Sequence, residues 1–133
     1  MKLLILHGPN MNLFGIRSSK EGKNTTLDKI NRHLRKFVRN KDIELKIMQT
    51  HNESKAVSYL HRNRKFFDGI ILTPGAWEYS GYILKETIEI LELKTVIILL
   101  NNNNNNNIFS DFKCFIDDSI LTSYEKAISH YVS

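Results

Sequence analysis

The run Thr95-Val96-Ile97-Ile98-Leu99-Leu100 shows no alternation of polar and apolar residues. A strand built on it has two apolar faces, and such a strand is stable only inside a sheet that is covered on both sides. Leu3 to Leu6 and Gly69 to Thr73 repeat the pattern, and turn formers halt both, His7-Gly8-Pro9-Asn10 the first and Pro74-Gly75 the second. Ile43, Leu45 and Ile47 instead alternate with Glu44 and Lys46, which predicts a half-exposed strand near a sheet edge.

Helical spacing fills the intervals. Thr25-Thr26-Leu27-Asp28 forms a capping signal, after which Leu27, Ile30, Leu34, Phe37 and Val38 share one face. Asn52-Glu53 opens a second helix carrying Ala56, Val57, Tyr59 and Leu60, and Ile83, Leu84, Thr87, Ile88 and Leu91 describe a third. Ser123 to Val132, with Ala127, Ile128 and Tyr131 along one side, predicts a terminal helix. Strands alternating with helices imply right-handed crossovers and a parallel sheet, a flavodoxin-like three-layer α/β/α sandwich. At 133 residues, positions 1–133 are expected to form a single domain. Asn101 to Asn107 is a homopolymer that has no periodicity and reads as a disordered insert.

Composition narrows the setting. No apolar run approaches the roughly 18 residues of a membrane span, the apolar start is too short for a signal peptide, and Cys114 stands alone. A cytoplasmic protein without membrane association is expected. The net charge of +5 suggests attraction to anions. However, Arg32, Arg35, Lys36, Arg39 and Lys41, then Arg62, Arg64 and Lys65, fall toward the C-terminal ends of two predicted helices, where cations meet the helix dipole favourably. That placement favours solvated helix faces over a nucleic-acid surface.

In an open parallel sheet, ligands bind beyond the carboxyl ends of the strands. Here those ends are His7 to Arg17, Thr73 to Gly81, and Leu100 onward, three loops around one crevice. Ser18 to Asn24 has the composition of a mobile lid. Neither G-x-G-x-x-G after the first strand nor G-x-x-x-x-G-K-[ST] occurs, and the five histidines never pair with each other or with Cys114 at ligand spacing, so no metal site is expected. His7, at a strand end, reads as structural, and Trp77 and Tyr79 read as packing or interface residues.

The stretch HGPNMNLFGIR from His7 to Arg17 resembles the signature of type II 3-dehydroquinate dehydratases, G-P-N-L-N-x-L-G-x-R, with Gly8, Pro9, Asn10, Asn12, Gly15 and Arg17 in its frame, Leu13 one position before the family's leucine, and Thr25-Thr26-Leu27 closing it. MQTHNES with Gln49 and Glu53, DGIILTPGA from Asp68 to Ala76, and VIILLNN from Val96 to Asn102 are similar to three further family motifs. The resemblance implies a cofactor-free and metal-free hydro-lyase that takes water from the small-molecule substrate 3-dehydroquinate through an enolate. It also implies a homo-oligomer of trimers, which assemble further into dodecamers. By matching position, Arg17 is the arginine that favours an ionised base and Asn10 holds a water on the enolate. Leu100 and Asn101 supply main-chain contacts to the substrate carboxylate, Glu86 is the acidic residue offered across a trimer contact, and Lys113 of DFK stands for a family arginine. Departures fall on the chemistry itself. Gly22 stands where the family has its tyrosine base, Thr73 and Tyr79 replace a binding asparagine and histidine, and Ile97 and Leu99 replace the Glu and His of E-V-H. A catalytically degenerate member that acts as a binding or structural subunit is the alternative reading.

Overall fold

A computed structural model describes residues 1–101 and 107–132. Its strands, β1 (Lys2–His7), β2 (Glu44–Gln49), β3 (Gly69–Thr73), β4 (Thr95–Ile98) and β5 (Lys113–Phe115), form one sheet in the order β2-β1-β3-β4-β5. Every pairing is parallel. Side chains alternate along each strand and divide the core into two layers. Leu3, Ile5, Ile71, Val96 and Ile98 face α2 (Leu27–Phe37) and α6 (Ile120–Val132), which meet them with Ile30, Leu34, Tyr124, Ala127 and Ile128. Leu4, Leu6, Ile70, Leu72 and Ile97 face α3 (Glu53–Asn63) and α5 (Tyr82–Ile90) through Ala56, Leu60, Leu84 and Ile88. This is the flavodoxin-like sandwich that the sequence predicts. β2 lies at an edge and exposes Glu44 and Lys46, as its alternation requires. Among the described residues, no helix is long and apolar enough to cross a membrane.

Local chemistry sets the helix starts. The Thr26 hydroxyl accepts from the Lys29 amide at 3.1 Å, and the Asn52 carboxamide accepts from the Lys55 amide at 3.2 Å, so each satisfies a donor that the first helical turn leaves open. Arg35 and Lys36 close α2, and His61 and Arg62 close α3, in the dipole-favoured positions.

The first crossover differs from expectation. In place of a loop and mobile lid, a 3-10 turn (Met11–Leu13) leads into a helix, α1 (Phe14–Lys20). Phe14 and Ser18 anchor it, both buried, and the Ser18 hydroxyl accepts from the Thr25 amide at 2.8 Å. The helix stops in a Schellman arrangement, in which the amides of Gly22 and Lys23 donate to the carbonyls of Ser19 and Ser18. Gly22 takes the left-handed conformation this requires, with φ of +75°. The Lys23 ammonium then donates to the Asp118 carbonyl and ties the segment to the chain before α6.

Smaller differences follow from packing. The third predicted helix gains a preceding turn, α4 (Trp77–Ser80), β4 ends at Ile98, and α6 begins at Ile120. The polyasparagine insert lies outside the described residues at 102–106. At its far border Asn107 is buried and its side-chain oxygen accepts from the Phe109 amide at 2.8 Å, where the sequence predicts disorder.

A chain of buried polar groups crosses the sheet at the carboxyl ends of β1 and β3. His7 Nε2 donates to the Asn31 side-chain oxygen at 2.9 Å, which leaves Nδ1 to accept from the Tyr124 hydroxyl at 3.1 Å. That hydroxyl in turn accepts from Thr73 Oγ1. One network therefore binds β1, α2, α6 and β3. Burial lowers the His7 pKa to about 4, against the opposing pull of its bond to Asn31.

Two outcomes follow. A Cβ at Gly8 would lie 2.6 Å from the Pro74 carbonyl oxygen and 2.8 Å from that of Thr73, so Gly8→Ala forces the two strand ends apart. Its denaturant midpoint should report a loss of about 1–3 kcal/mol. Because the unfolded histidine binds its proton near pH 6.5 and the folded one only near 4, stability falls as pH drops through that window. The loss reaches about 3 kcal/mol below it. Urea midpoints of wild type and His7→Gln over the window should differ in slope by this amount, and parallel curves would show that His7 is not the group responsible.

Candidate active site

The order β2-β1-β3 places the topological switch between β1 and β3, where successive connections leave toward opposite faces and open a crevice. The loops after β1, β3 and β4 converge there on a cavity of about 230 Å³. Pro9 and Asn10 come from the first, Gly75, Ala76, Glu78 and Tyr79 from the second, and Leu100 and Asn101 from the third, while Phe14 and Arg17 reach in from α1. A second cavity of about 340 Å³ runs beside it between α1 and the start of α6, lined by Ser18, Glu21, Lys23, Asp117 and Asp118 among others. Phe14, Arg17 and Leu100 line both. The two spaces thus meet at one guanidinium, in a volume suited to a ring-sized metabolite.

The backbone prepares this corner. Asn10 adopts a left-handed φ of +65°, which asparagine tolerates better than most residues, and its amide donates to His51 Nδ1 at 3.1 Å. The Gln49 side-chain Nε2 donates to the Gly8 carbonyl at 3.2 Å and braces the same turn from β2. Arg17 lies in the last turn of α1, exposed at the rim. Glu78 is its counterpart inside. The residue is 5% exposed, and burial pushes its carboxyl above the usual range while the Arg17 guanidinium pulls it down. Asp117, at the mouth of the second cavity, is held below the usual carboxylate range by the Lys126 ammonium and the Ser119 amide.

Of the residues singled out from sequence, Asn10, Arg17, Leu100 and Asn101 meet in one cavity. Glu86 and Lys113 lie elsewhere. Glu86 is exposed on α5, and the Lys113 ammonium stands over the Phe115 ring at 5.3 Å on β5. The positions that depart from the family motifs have other tasks. Gly22 closes α1, Thr73 is engaged with Tyr124, Ile97 and Leu99 are buried in the core, and Tyr79 is half exposed at the cavity wall. Glu78 escapes a sequence reading because its only mark there is a carboxylate two residues beyond Pro74-Gly75-Ala76. Among the described residues, no group of three or more His, Cys, Asp or Glu is placed to hold a metal ion.

Comparison with known proteins agrees with this architecture. The 3-dehydroquinate dehydratase of Pelotomaculum thermopropionicum is 31% identical over 96 residues, which cover 72% of this chain and 67% of that protein. That of Thermotoga neapolitana is also 31% identical over 96 residues, covering 72% and 65%. The matched stretch therefore spans about two thirds of these relatives' length. The crystal structure of type II dehydroquinase from Butyrivibrio crossotus superposes with a TM-score of 0.84 at 22% identity, covering 100% of this chain and 98% of the other, and so shares its fold. The family model described as dehydroquinase class II matches residues 1–129, and the chain belongs to that family.

Proposed function

We propose that this chain dehydrates 3-dehydroquinate to 3-dehydroshikimate through an enolate, as a cytoplasmic step of aromatic amino acid biosynthesis. The observation that carries the reading is the meeting of Asn10, Arg17, Leu100 and Asn101 around one cavity at the β1/β3 switch point. The main chain at Leu100 and Asn101 receives the substrate carboxylate, as positions beyond a parallel strand receive anions. The Arg17 guanidinium stabilises negative charge as the proton next to the ketone departs, and Asn10 positions a water against the enolate oxygen. Loss of the C–O bond then yields the conjugated product.

The second element of the proposal is a homo-oligomer. Tyr82, Ile83 and Ile90 are 64%, 63% and 71% exposed along α5, on the helix that also exposes Glu86. An apolar surface of this kind is unusual for a monomer. Packed against another copy, this face would carry Glu86 into the contact, as the resemblance implies for its position.

Purified protein supplied with 3-dehydroquinate should accumulate the conjugated enone carboxylate, followed by its near-ultraviolet absorbance. Arg17→Ala should lower kcat/KM by about 10²- to 10³-fold. Saturable binding with no product would leave the degenerate binding reading in its place, and neither binding nor product would end both. Light scattering should give a mass above the 15.5 kDa of one chain, reduced by Ile83→Asp; a wild type of single-chain mass would refute the assembly.

A further inference from the structure

Glu78 is a buried carboxylate with one oxygen left unpartnered. Its place is fixed by the main chain. The Trp77 and Glu78 amides donate to the Pro74 and Gly75 carbonyls, each at 3.0 Å, and the Ile108 amide donates to the Glu78 carbonyl at 2.8 Å. The short helix α4 is therefore held by its main chain on both sides, and Glu78 is buried there. Yet the side-chain atom Oε1 is sealed from solvent and has no hydrogen-bond partner among the described residues. Burying an acceptor this way costs about 1–3 kcal/mol, so a carboxylate serving only the fold would be expected to have partners.

What surrounds it is the candidate site. Glu78 lines the same cavity as Asn10, Arg17 and Leu100. The titratable groups acting on it or acted on by it are Arg17 from α1 and Cys114 from β5, whose thiol burial and the Glu78 charge push upward and keep neutral. Arg17 thus supplies a positive charge to a carboxyl otherwise set in a poorly solvated wall.

We propose that Glu78 is the proton-transfer residue of this site, a role that rests on the dehydratase reading above. Its carboxylate takes the proton from the carbon next to the substrate ketone, and the C–H electron pair becomes the enolate. As the enolate collapses, a C=C bond forms and the C–O bond breaks with its electron pair on oxygen. The proton held on Glu78 passes to that oxygen, water leaves, and the carboxylate is restored. A carboxyl raised by burial is a stronger base than one in water, which suits it to this exchange. The position of the family's tyrosine base holds Gly22, with no side chain to act.

Glu78→Gln keeps the shape and removes the titration, and Glu78→Asp keeps the charge on a shorter arm. With 3-dehydroquinate as substrate, Glu78→Gln should lose about 10²- to 10³-fold in kcat with KM nearly unchanged. The acidic limb of its pH profile should vanish, and its Tm should stay close to that of wild type, because the shape is kept and one carboxylate oxygen had no hydrogen-bond partner. Glu78→Asp should recover part of the rate and the limb. Wild-type kcat and an unchanged limb in Glu78→Gln would overturn the proposal, as would a rate loss that only tracks a fall in Tm. A wild type that binds 3-dehydroquinate without product would also overturn it while leaving the binding site intact. A wild type that neither binds nor converts it would overturn the functional reading itself.

Discussion

The chain of hydrogen bonds from Thr73 through Tyr124 and His7 to Asn31 sits where β1 and β3 end, and it fixes the two strand ends from which the first two loops around the cavity leave. Each link fixes the direction of the next. An amide oxygen at Asn31 demands a hydrogen on Nε2, a bare Nδ1 then demands the tyrosine hydrogen, and the tyrosine oxygen is left to accept from threonine. Protonating His7 would place a second donor against Tyr124 and break the sequence of donors. Burial disfavours that protonation, so the network stays intact at neutral pH. The close approach at Gly8, whose amide donates to the Thr73 carbonyl at 2.8 Å, completes the clamp.

This clamp explains one departure from the family pattern. Thr73 occupies the place of a substrate-binding asparagine, but its hydroxyl is turned into the core and engaged there. The loop after β3 instead offers the cavity residues further along, Glu78 and Tyr79. A second departure has an independent cause. Gly22 ends α1 in a left-handed conformation, and any side chain at that position would strain the turn that holds Arg17's helix in place. The helix α1, with its arginine at the rim, therefore stands where the resemblance implies a lid that carries a tyrosine.

Much of this fold is legible in the sequence because its signals are local. β1 and β3 are continuous apolar runs closed by turn formers, and α2 and α3 open on Thr26 and Asn52, which do cap them. α1 is hidden because Phe14–Lys20 combines a glycine, two serines and no helical periodicity, and its stability comes from Phe14 and Ser18 packing below the site. β5 is hidden because one exposed and two half-buried residues carry no pattern; pairing with β4 makes them a strand. At the site, Asn10 and Arg17 could be found by motif. Glu78 could not, because its burial arises only in the folded chain, which brings the Ile108 amide to its carbonyl.

The central claim is spatial: the side chains of Asn10 and Arg17 serve one pocket together with the main chain after β4. A crystal structure of the protein with a bound cyclic hydroxy-keto carboxylate measures this directly. The ligand carboxylate should lie on the main chain at Leu100 and Asn101, with the Arg17 guanidinium and Asn10 carboxamide within hydrogen-bond reach of its ring oxygens. A ligand seated elsewhere on the molecule, with those two groups facing solvent, would contradict it.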